Sequence, residues 1–306
     1  MTPRRIAITG ASGLVGSALS AHLRESGEEV LHLVRRPPRS GLPTGLIEST
    51  WDPQRGFEEP SDLEGLHAVV HLAGENVAGG RWTTSRRRRI RDSRVEGTRT
   101  LVDSLARLSS PPKVLLCASA SGYYGDRGAT PLDEQAPAGR GFLAEVCVAW
   151  EQAARRARDV STRVTSFRLG VVLAREGGAL ARMLPLFRVG LGGRLGDGRQ
   201  YLPWIALDDV VLALEHLLAR NDLEGPVNLV APEPVTNATF TTTLGKVLGR
   251  PTVLPAPAFA LRAALGGAAD ELLLASARLV PARLQGSGFA FRHPELEGAL
   301  RQVLGR

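Results

Sequence analysis

Hydroxyl groups cluster in the segment Ser119-Ala120-Ser121-Gly122-Tyr123-Tyr124, which follows an apolar run. A serine at the end of a strand, with phenols four and five residues later, could orient a carbonyl or hydroxyl group and exchange a proton with it. Ser119, Tyr123 and Tyr124 are therefore candidate catalytic residues. A serine turn followed by two packed tyrosines is the structural alternative.

Two charged residues stand near the ends of other apolar runs. Glu75 comes three residues after Leu72, so it would face the same edge of a parallel sheet and could act as the acid or base. Arg168 lies at the end of a later run, where it could bind an anionic substrate. An internal salt bridge is the alternative for Arg168.

Glycines spaced three apart follow the first predicted strand, whose apolar residues begin at Ile6. Gly10 would make a tight turn, Gly13 would let a phosphate approach the backbone, and Gly16 would let helix and strand pack closely. The helix would direct its first N–H groups at a pyrophosphate. An ordinary glycine-containing turn is the alternative, but the position between strand and helix favours dinucleotide binding. The predicted cofactor contacts in this turn are Gly10, Ser12, Gly13, Leu14, Val15 and Gly16.

Arg35 and Arg36 end the second predicted strand, where NAD-binding proteins usually carry a carboxylate. Two guanidinium groups suit a 2′-phosphate and match a bare hydroxyl poorly. We therefore predict NADP (NADPH) as the cofactor. A solvated basic loop is the alternative, because arginine is abundant along the whole chain.

Other cofactor contacts are expected after the third and fourth strands. Asp52 could accept a hydrogen bond from the adenine amino group, or it could simply start a turn before Pro53. Leu72, Ala73 and Gly74 form a small-residue turn against which the cofactor could lie.

Strand-like and helix-like segments alternate along the first 230 residues, as a parallel sheet requires. We predict strands at 45–50, 67–72, 113–118 and 162–169, and helices near 84–108 and 142–157. The fold class is α/β: a Rossmann-like doubly wound parallel sheet with a smaller C-terminal part on the substrate side. The predicted nucleotide domain is 1–175 with 205–230 returning to it; 176–204 and 231–306 form the smaller region, with a helical segment over 258–304.

Composition limits the classes of protein that fit. Apolar residues make up 43% of the 306, and no run of about 18 of them could span a membrane. The net charge of +7 comes almost entirely from arginine, including the run Arg86–Arg89. We interpret that run as the solvated face of a helix, with a wall near an anionic substrate as the alternative, and we predict no nucleic-acid partner. Cys117 and Cys147 suggest neither a disulfide framework nor a metal site, so we expect a cytoplasmic protein.

The chain resembles the extended short-chain dehydrogenase/reductases, and more closely their atypical, epimerase-annotated NADP-binding branch. The resemblance covers nearly the whole length and implies a Rossmann-like NADP domain with a small C-terminal domain. It rests on residues 9–16, His71-Leu72-Ala73-Gly74-Glu75-Asn76, Arg81-Trp82, Ser93-Arg94, Ser119 with Tyr124-Gly125, Phe167-Arg168-Leu169-Gly170, Pro203-Trp204-Ile205, Asp208-Asp209-Val210 and Gly288-Phe289.

One departure from this superfamily matters for activity. Its members normally use a tyrosine with a lysine four residues later, which lowers the pKa of the phenol. None of the three tyrosines has that lysine, and the helix starting at Phe142 would place Phe142 or Leu143 and Val146 or Cys147 at the two positions.

Two functions follow from these residues. The first is an NADP-dependent oxidoreductase or epimerase-like enzyme acting on a small polar, possibly nucleotide-linked substrate. The alternative is an NADP-binding protein without efficient catalysis, with a sensing, structural or regulatory role.

Overall fold

An eight-stranded sheet forms the centre of the protein, in a computed structural model that describes residues 3–57 and 60–306. The strand order is β12-β8-β6-β5-β1-β2-β3-β4, and every neighbouring pair is parallel except β3 with β4. The strands are β1 (Arg5–Thr9), β2 (Glu29–Val34), β3 (Leu46–Asp52), β4 (Gly56–Phe57), β5 (Ala68–His71), β6 (Val114–Ala120), β7 (Pro131–Leu132), β8 (Arg163–Leu169), β9 (Val171–Leu173), β10 (Tyr201–Leu202), β11 (Trp204–Ala206), β12 (Gly225–Leu229), β13 (Val235–Thr236) and β14 (Arg278–Leu279).

Helices cover both faces of this sheet, with α1 beside α5 and α2 beside α3. They are α1 (Leu14–Glu25), α2 (Thr84–Leu105), α3 (Phe142–Arg155), α4 (Gly178–Arg188), α5 (Leu207–Ala219), α6 (Asn237–Leu248), α7 (Ala258–Leu265), α8 (Gly267–Ala269), α9 (Ala282–Gly286) and α10 (Leu296–Leu304). Because both faces are covered, strand residues such as Ile8, Val70 and Leu116 are fully buried. The predicted doubly wound α/β fold is confirmed.

A second apolar cluster lies beside the carboxyl end of the sheet. It joins α4, α6 and α10 around Leu180, Phe240 and Leu300, all buried. The 258–304 segment is not one helical unit: it alternates short helices with extended stretches, because glycines and prolines interrupt it. Between the two parts, β11 and α5 lead back to β12, which pairs with β8 in the main sheet.

Strand and helix boundaries differ by a few residues from those predicted. The fifth predicted strand continues to Ala120, two residues further than expected, and the fourth is confined to Ala68–His71. The arginine-rich segment is helical, and Thr83 caps α2 by accepting a hydrogen bond from the Arg86 N–H. Within the part of the chain described, none of the helices combines the length and hydropathy needed to cross a membrane.

Candidate functional site: two cavities at the carboxyl edge of the sheet

The turn between β1 and α1 forms the floor of an open groove. Gly10 has φ +66°, and a Cβ there would lie 2.9 Å from the carbonyl carbon of Leu72, so two constraints require glycine. A Cβ at Gly16 would overlap the Gly10 carbonyl, which shows how closely the helix packs on the turn. Gly13 is the N-cap of α1 and supplies no side chain to its first N–H groups. Those donors are left for an anion in the groove.

The groove has a volume of about 780 Å³ and runs along the ends of β1, β2, β3 and β5. Of the cofactor residues predicted from the sequence, those that line it are Gly10, Ser12, Gly13, Arg35, Arg36, Leu72, Ala73 and Gly74. Leu14, Val15 and Gly16 belong to the first turn of α1 behind it; Leu14 contacts Gly177 and Val15 packs on the core.

A buried threonine and a buried histidine fix the residues that follow β5 beside this turn. The Thr9 hydroxyl accepts hydrogen bonds from the N–H groups of Leu72 (3.0 Å) and Ala73 (3.1 Å), so its own proton is directed to His71 Nδ1 at 2.8 Å. Complete burial lowers the pKa of His71 to about 4, which keeps the ring neutral. Sequence reasoning missed this pair, although both residues stand next to the predicted glycine turns.

Three arginines follow β2, and two of them are paired with one carboxylate. Arg36 donates two hydrogen bonds to Glu48, at 2.7 and 2.9 Å, and Arg39 donates through its backbone N–H and its guanidinium, at 2.9 and 3.0 Å. The Glu48 side chain is fully buried, and the Arg36 hydrogen bonds lower its pKa to about 2. Arg35, Arg36, Arg39 and Glu48 all line the groove. Sequence reasoning found the first two arginines and missed Arg39 and Glu48.

Asp52 takes the turn-forming alternative rather than an adenine contact. Its carboxylate accepts hydrogen bonds from the N–H groups of Gln54 (2.7 Å) and Arg55 (3.2 Å), and its neighbours Trp51 and Pro53 line the groove instead. This geometry does not support the predicted cofactor role of Asp52, because its Oδ1 accepts both turn hydrogen bonds and the residue does not line the groove.

Ser119 and Arg168 belong to a buried network behind the crevice. Arg168 donates to both oxygens of Glu151, at 2.8 and 2.9 Å, and the Ser119 hydroxyl donates to the same carboxylate at 2.7 Å. Ser119 is 3% exposed and Arg168 2% exposed. Their hydrogen bonds are made within the protein, so the geometry does not support Ser119 as a catalytic group or Arg168 as a substrate-binding group.

The two tyrosines also turn away from the crevice. Tyr124 is fully buried; its hydroxyl accepts from Arg168 (2.9 Å) and donates to Asn228 (2.8 Å), and burial raises its pKa to about 12. The Tyr123 ring lies on the Arg168 guanidinium, 3.4 Å from its centre, and borders a separate cavity of about 260 Å³. Neither tyrosine lines the groove, so this geometry does not support the predicted catalytic role of either phenol.

Glu75 is the predicted catalytic candidate that lines the groove. Its backbone is fixed from both sides: its N–H donates to Ser93 Oγ at 3.0 Å and its carbonyl accepts from Arg94 at 2.9 Å. Arg94 stacks on Trp150, 5.2 Å from the ring centre, and lies against Gly74. The position of Glu75 is therefore set by the helix α2, and its carboxylate is left to the groove.

The arginine run on α2 divides into two parts. Arg86 donates to the carbonyls of Asn76 (2.7 Å) and Gly79 (3.2 Å), and Arg87 lies over the rings of Trp82 and Phe142. These two side chains contact the loop after β5, whereas Arg88 and Arg89 lie on the exposed face of the helix.

A second cavity, of about 340 Å³, lies on the C-terminal side of the same sheet edge. Ser121 and Gly122, which begin the short helical turn Ser121–Tyr124 after β6, form part of its wall. Leu143 of α3 forms another part, one helical turn before Cys147. Cys147 is buried, and burial raises the pKa of its thiol to about 11. The helix face that carries tyrosine and lysine in the resembled superfamily thus carries an alkyl group and a protonated thiol.

A parallel sheet with a glycine turn and a basic groove at its carboxyl edge defines a dinucleotide-binding fold of the Rossmann type. The chain belongs to the NAD dependent epimerase/dehydratase family, which it matches over residues 6–230, and residues 256–303 match a domain of unknown function, DUF1731. The family resemblance drawn from the sequence is therefore confirmed.

Several relatives match over nearly the full chain. The epimerase family protein Mb2239 of Mycobacterium bovis is 47% identical over 295 residues, covering 96% of each chain. The crystal structure of the human epimerase family protein SDR39U1 with NADPH has a TM-score of 0.89 at 35% identity, covering 99% of each chain. A nucleoside-diphosphate sugar epimerase from Corynebacterium glutamicum has a TM-score of 0.80 at 37% identity, covering 99% of this chain and 59% of that one.

Proposed function

We propose that this protein binds NADP(H) in the groove and acts as an oxidoreductase or epimerase-like enzyme on a carbonyl or hydroxyl compound in the second cavity. The observation that carries the proposal is the three-arginine cluster at the end of β2, beside the glycine turn. A 2′-phosphate carries close to two negative charges, and the cluster of Arg35, Arg36, Arg39 and Glu48 has a net charge of +2 (three cations minus one carboxylate). The human relative solved with NADPH supports the same cofactor.

The positions of the groove residues also match the two phosphate-bearing parts of NADP(H). The pyrophosphate would lie on the first N–H groups of α1, next to Gly13, and the 2′-phosphate beside the arginines. When bound, the nicotinamide would supply or accept a hydride at a carbon held in the second cavity. Ser121 would hold the oxygen of that compound, and Glu75 is the carboxylate that the groove presents for proton exchange.

The experiment is a titration of the purified protein with NADPH, followed by nicotinamide fluorescence. We expect saturable binding in the wild type and its loss in Gly13→Asp, because a carboxylate there would crowd and repel the phosphates. Gly298→Asp is the matched control, since Gly298 lies on α10 with open space around its Cα. Full-strength binding by Gly13→Asp would place the cofactor elsewhere.

A non-catalytic role is the second candidate, and α3 is the observation that favours it. Leu143 and Cys147 leave this helix without a proton-transfer pair facing the cavity. Tight NADPH binding with no NADPH consumption across a broad set of carbonyl compounds would favour a sensing or structural role.

A further inference from the structure

The wall of the second cavity is mainly hydrocarbon. Side chains from α3, α4, α6, β9 and β10 meet there, among them Leu143, Val171, Leu180, Met183, Leu202 and Phe240. The volume of about 340 Å³ is near the lower end of the range for small-molecule pockets. The hydrocarbon part of this wall stabilises apolar groups through the area they remove from water, and it offers no hydrogen-bond partner to a sugar hydroxyl.

Several polar side chains in this wall are hydrogen-bonded within the protein itself. Gln200 donates to the carbonyls of Leu195 and Leu273, both at 3.0 Å. Asn237 accepts from the Leu195 N–H at 2.8 Å. Glu271 accepts from the N–H groups of Phe142 (3.1 Å) and Leu143 (2.8 Å) at the start of α3. These hydrogen bonds shape the cavity and occupy part of the polar capacity of its wall.

The charges around the cavity oppose a phosphate-bearing substrate. Two arginines, Arg140 and Arg262, stand against three carboxylates, Asp126, Asp270 and Glu271, and Arg262 is already paired with Asp270 at 2.8 Å. A nucleoside diphosphate carries two or more negative charges, whereas the described wall has a net charge of −1 (two arginines against three carboxylates), with Arg140 as its one arginine outside an ion pair.

Resting on the proposed function, we infer that the substrate has an aliphatic body and a single carbonyl or hydroxyl end, and that it is not a sugar nucleotide. The hydrocarbon body would fill the space beside Met183 and Phe240. The oxygen end would meet Ser121 or Tyr201, which carry the hydroxyl groups of the described wall. A small polar, nucleotide-linked substrate, which the sequence led us to expect, would leave this wall unmatched.

Isothermal titration of straight-chain primary alcohols into the wild type saturated with NADP⁺ tests this assignment. We expect the affinity to rise about fourfold for each added methylene until the cavity is full, and UDP-glucose to show no saturable binding at the same concentrations. An affinity that is flat with chain length, or tighter binding of UDP-glucose, would overturn the inference.

Two substitutions on α4 test whether the alcohols bind in the second cavity. Met183→Glu places a charge in the cavity wall and should weaken alcohol binding by about tenfold or more, whereas Leu186→Glu, at a side chain that is 57% exposed on the same helix, should leave it unchanged. Met183→Gln serves the same purpose if the glutamate variant does not fold. Retention of the chain-length dependence by a folded Met183 variant would contradict the assignment.

The design separates this inference from the proposed function. NADPH affinity should be the same in the wild type and both α4 variants, since the groove and the cavity have different walls. If the wild type fails to bind NADPH but the cofactor-free protein still shows the chain-length dependence, the proposed function fails and the substrate class stands. The opposite result, NADPH binding without a dependence of alcohol affinity on chain length, would contradict only the inferred substrate class.

Discussion

Two serines that lie two residues apart in the sequence have different roles. Ser119 is the penultimate residue of β6 and its hydroxyl donates to Glu151, whereas Ser121 begins the next helical turn and borders the second cavity. The chain leaves extended conformation between them, so the alternation of a strand no longer relates their directions. The reactive hydroxyl predicted at Ser119 is therefore proposed at Ser121.

Alanine substitutions at the two serines should have different effects on the free energy of unfolding. Ser119→Ala removes a charge-assisted hydrogen bond to a buried carboxylate and should lower the free energy of unfolding by about 1–2 kcal/mol. Ser121→Ala should change it by less than about 0.5 kcal/mol. Urea unfolding of both variants provides the measurement, and equal stability losses would contradict the described network.

Substitution of each of two neighbouring arginines measures its contribution to the preference for NADPH over NADH. Arg35→Ser and Arg36→Ser should each reduce the preference for NADPH over NADH by about tenfold, because each removes a charge-assisted contact to the 2′-phosphate. Arg36→Ser should also lower the free energy of unfolding, since the buried Glu48 loses two hydrogen bonds.

Fluorescence titrations with both nucleotides, together with urea unfolding, test this division. Arg107→Ser, an exposed arginine after α2, is the control and should alter neither quantity. Equal affinities for NADPH and NADH in the wild type would contradict the proposed NADP preference.

At the scale of elements, the loop after β5 is held by arginines from two helices. Arg86 and Arg94 reach it from α2, and Arg182 of α4 donates to the carbonyl of Ala78 at 2.8 Å. Guanidinium groups satisfy loop carbonyls that have no strand partner, which fixes the position of Gly74 and Glu75 beside the groove. Two of the arginines on α2 thus support this loop.

The start of α3 depends on the C-terminal region. Glu271 accepts the first N–H groups of the helix, and Gly141, with φ +110°, leaves room for its carboxylate. Glu271→Gln should therefore lower the free energy of unfolding by about 1 kcal/mol, since it loses a charged cap at a helix N-terminus.

Thermal or urea unfolding checks this effect against Glu233→Gln, a control at an exposed glutamate. A Glu271 variant as stable as the wild type would show that the carboxylate contributes little to holding α3. Loss of alcohol binding in the same variant would show that α3 also shapes the cavity.

At the scale of the whole molecule, His71 links folding to pH. Its pKa is lowered to about 4 by burial, whereas in the unfolded chain it titrates near 6.5. The unfolded state therefore binds more protons between these values, so stability falls as the pH drops from about 6.5 towards about 4, by up to about 3 kcal/mol. Glu48, with a pKa lowered to about 2, adds a separate loss as the pH falls below about 4.5.

Urea unfolding of wild type and His71→Gln between about pH 7 and about pH 4 measures this linkage. The variant should be less stable at neutral pH, because Thr9 loses its acceptor, and its stability should depend less on pH over that range. Burial also lowers the pKa values of His32, His67 and His216. The stability of the variant should therefore still decrease to some extent as the pH falls.

The sequence by itself determined the parts of the protein that local patterns encode. Alternating apolar runs and amphipathic segments predicted the doubly wound sheet, and the spacing of Gly10, Gly13 and Gly16 predicted the turn at the end of β1. Both follow from backbone rules that act over a few residues: buried parallel strands must be apolar, and a tight turn needs a glycine. The arginines after β2 were found for the same reason, since they directly follow a predicted strand.

Only the tertiary structure decided where side chains point and which residues far apart in sequence meet. From the sequence, Ser119 and Arg168 were predicted as site residues. In the structure both are hydrogen-bonded in the interior to Glu151 of α3, which lies 32 residues after Ser119 and 17 residues before Arg168. The second cavity draws its wall from several elements between Ser121 and Ala277. No local pattern reports such contacts, because burial and hydrogen bonding depend on how the helices pack on the sheet. The proposed substrate class therefore rests on the assembled cavity.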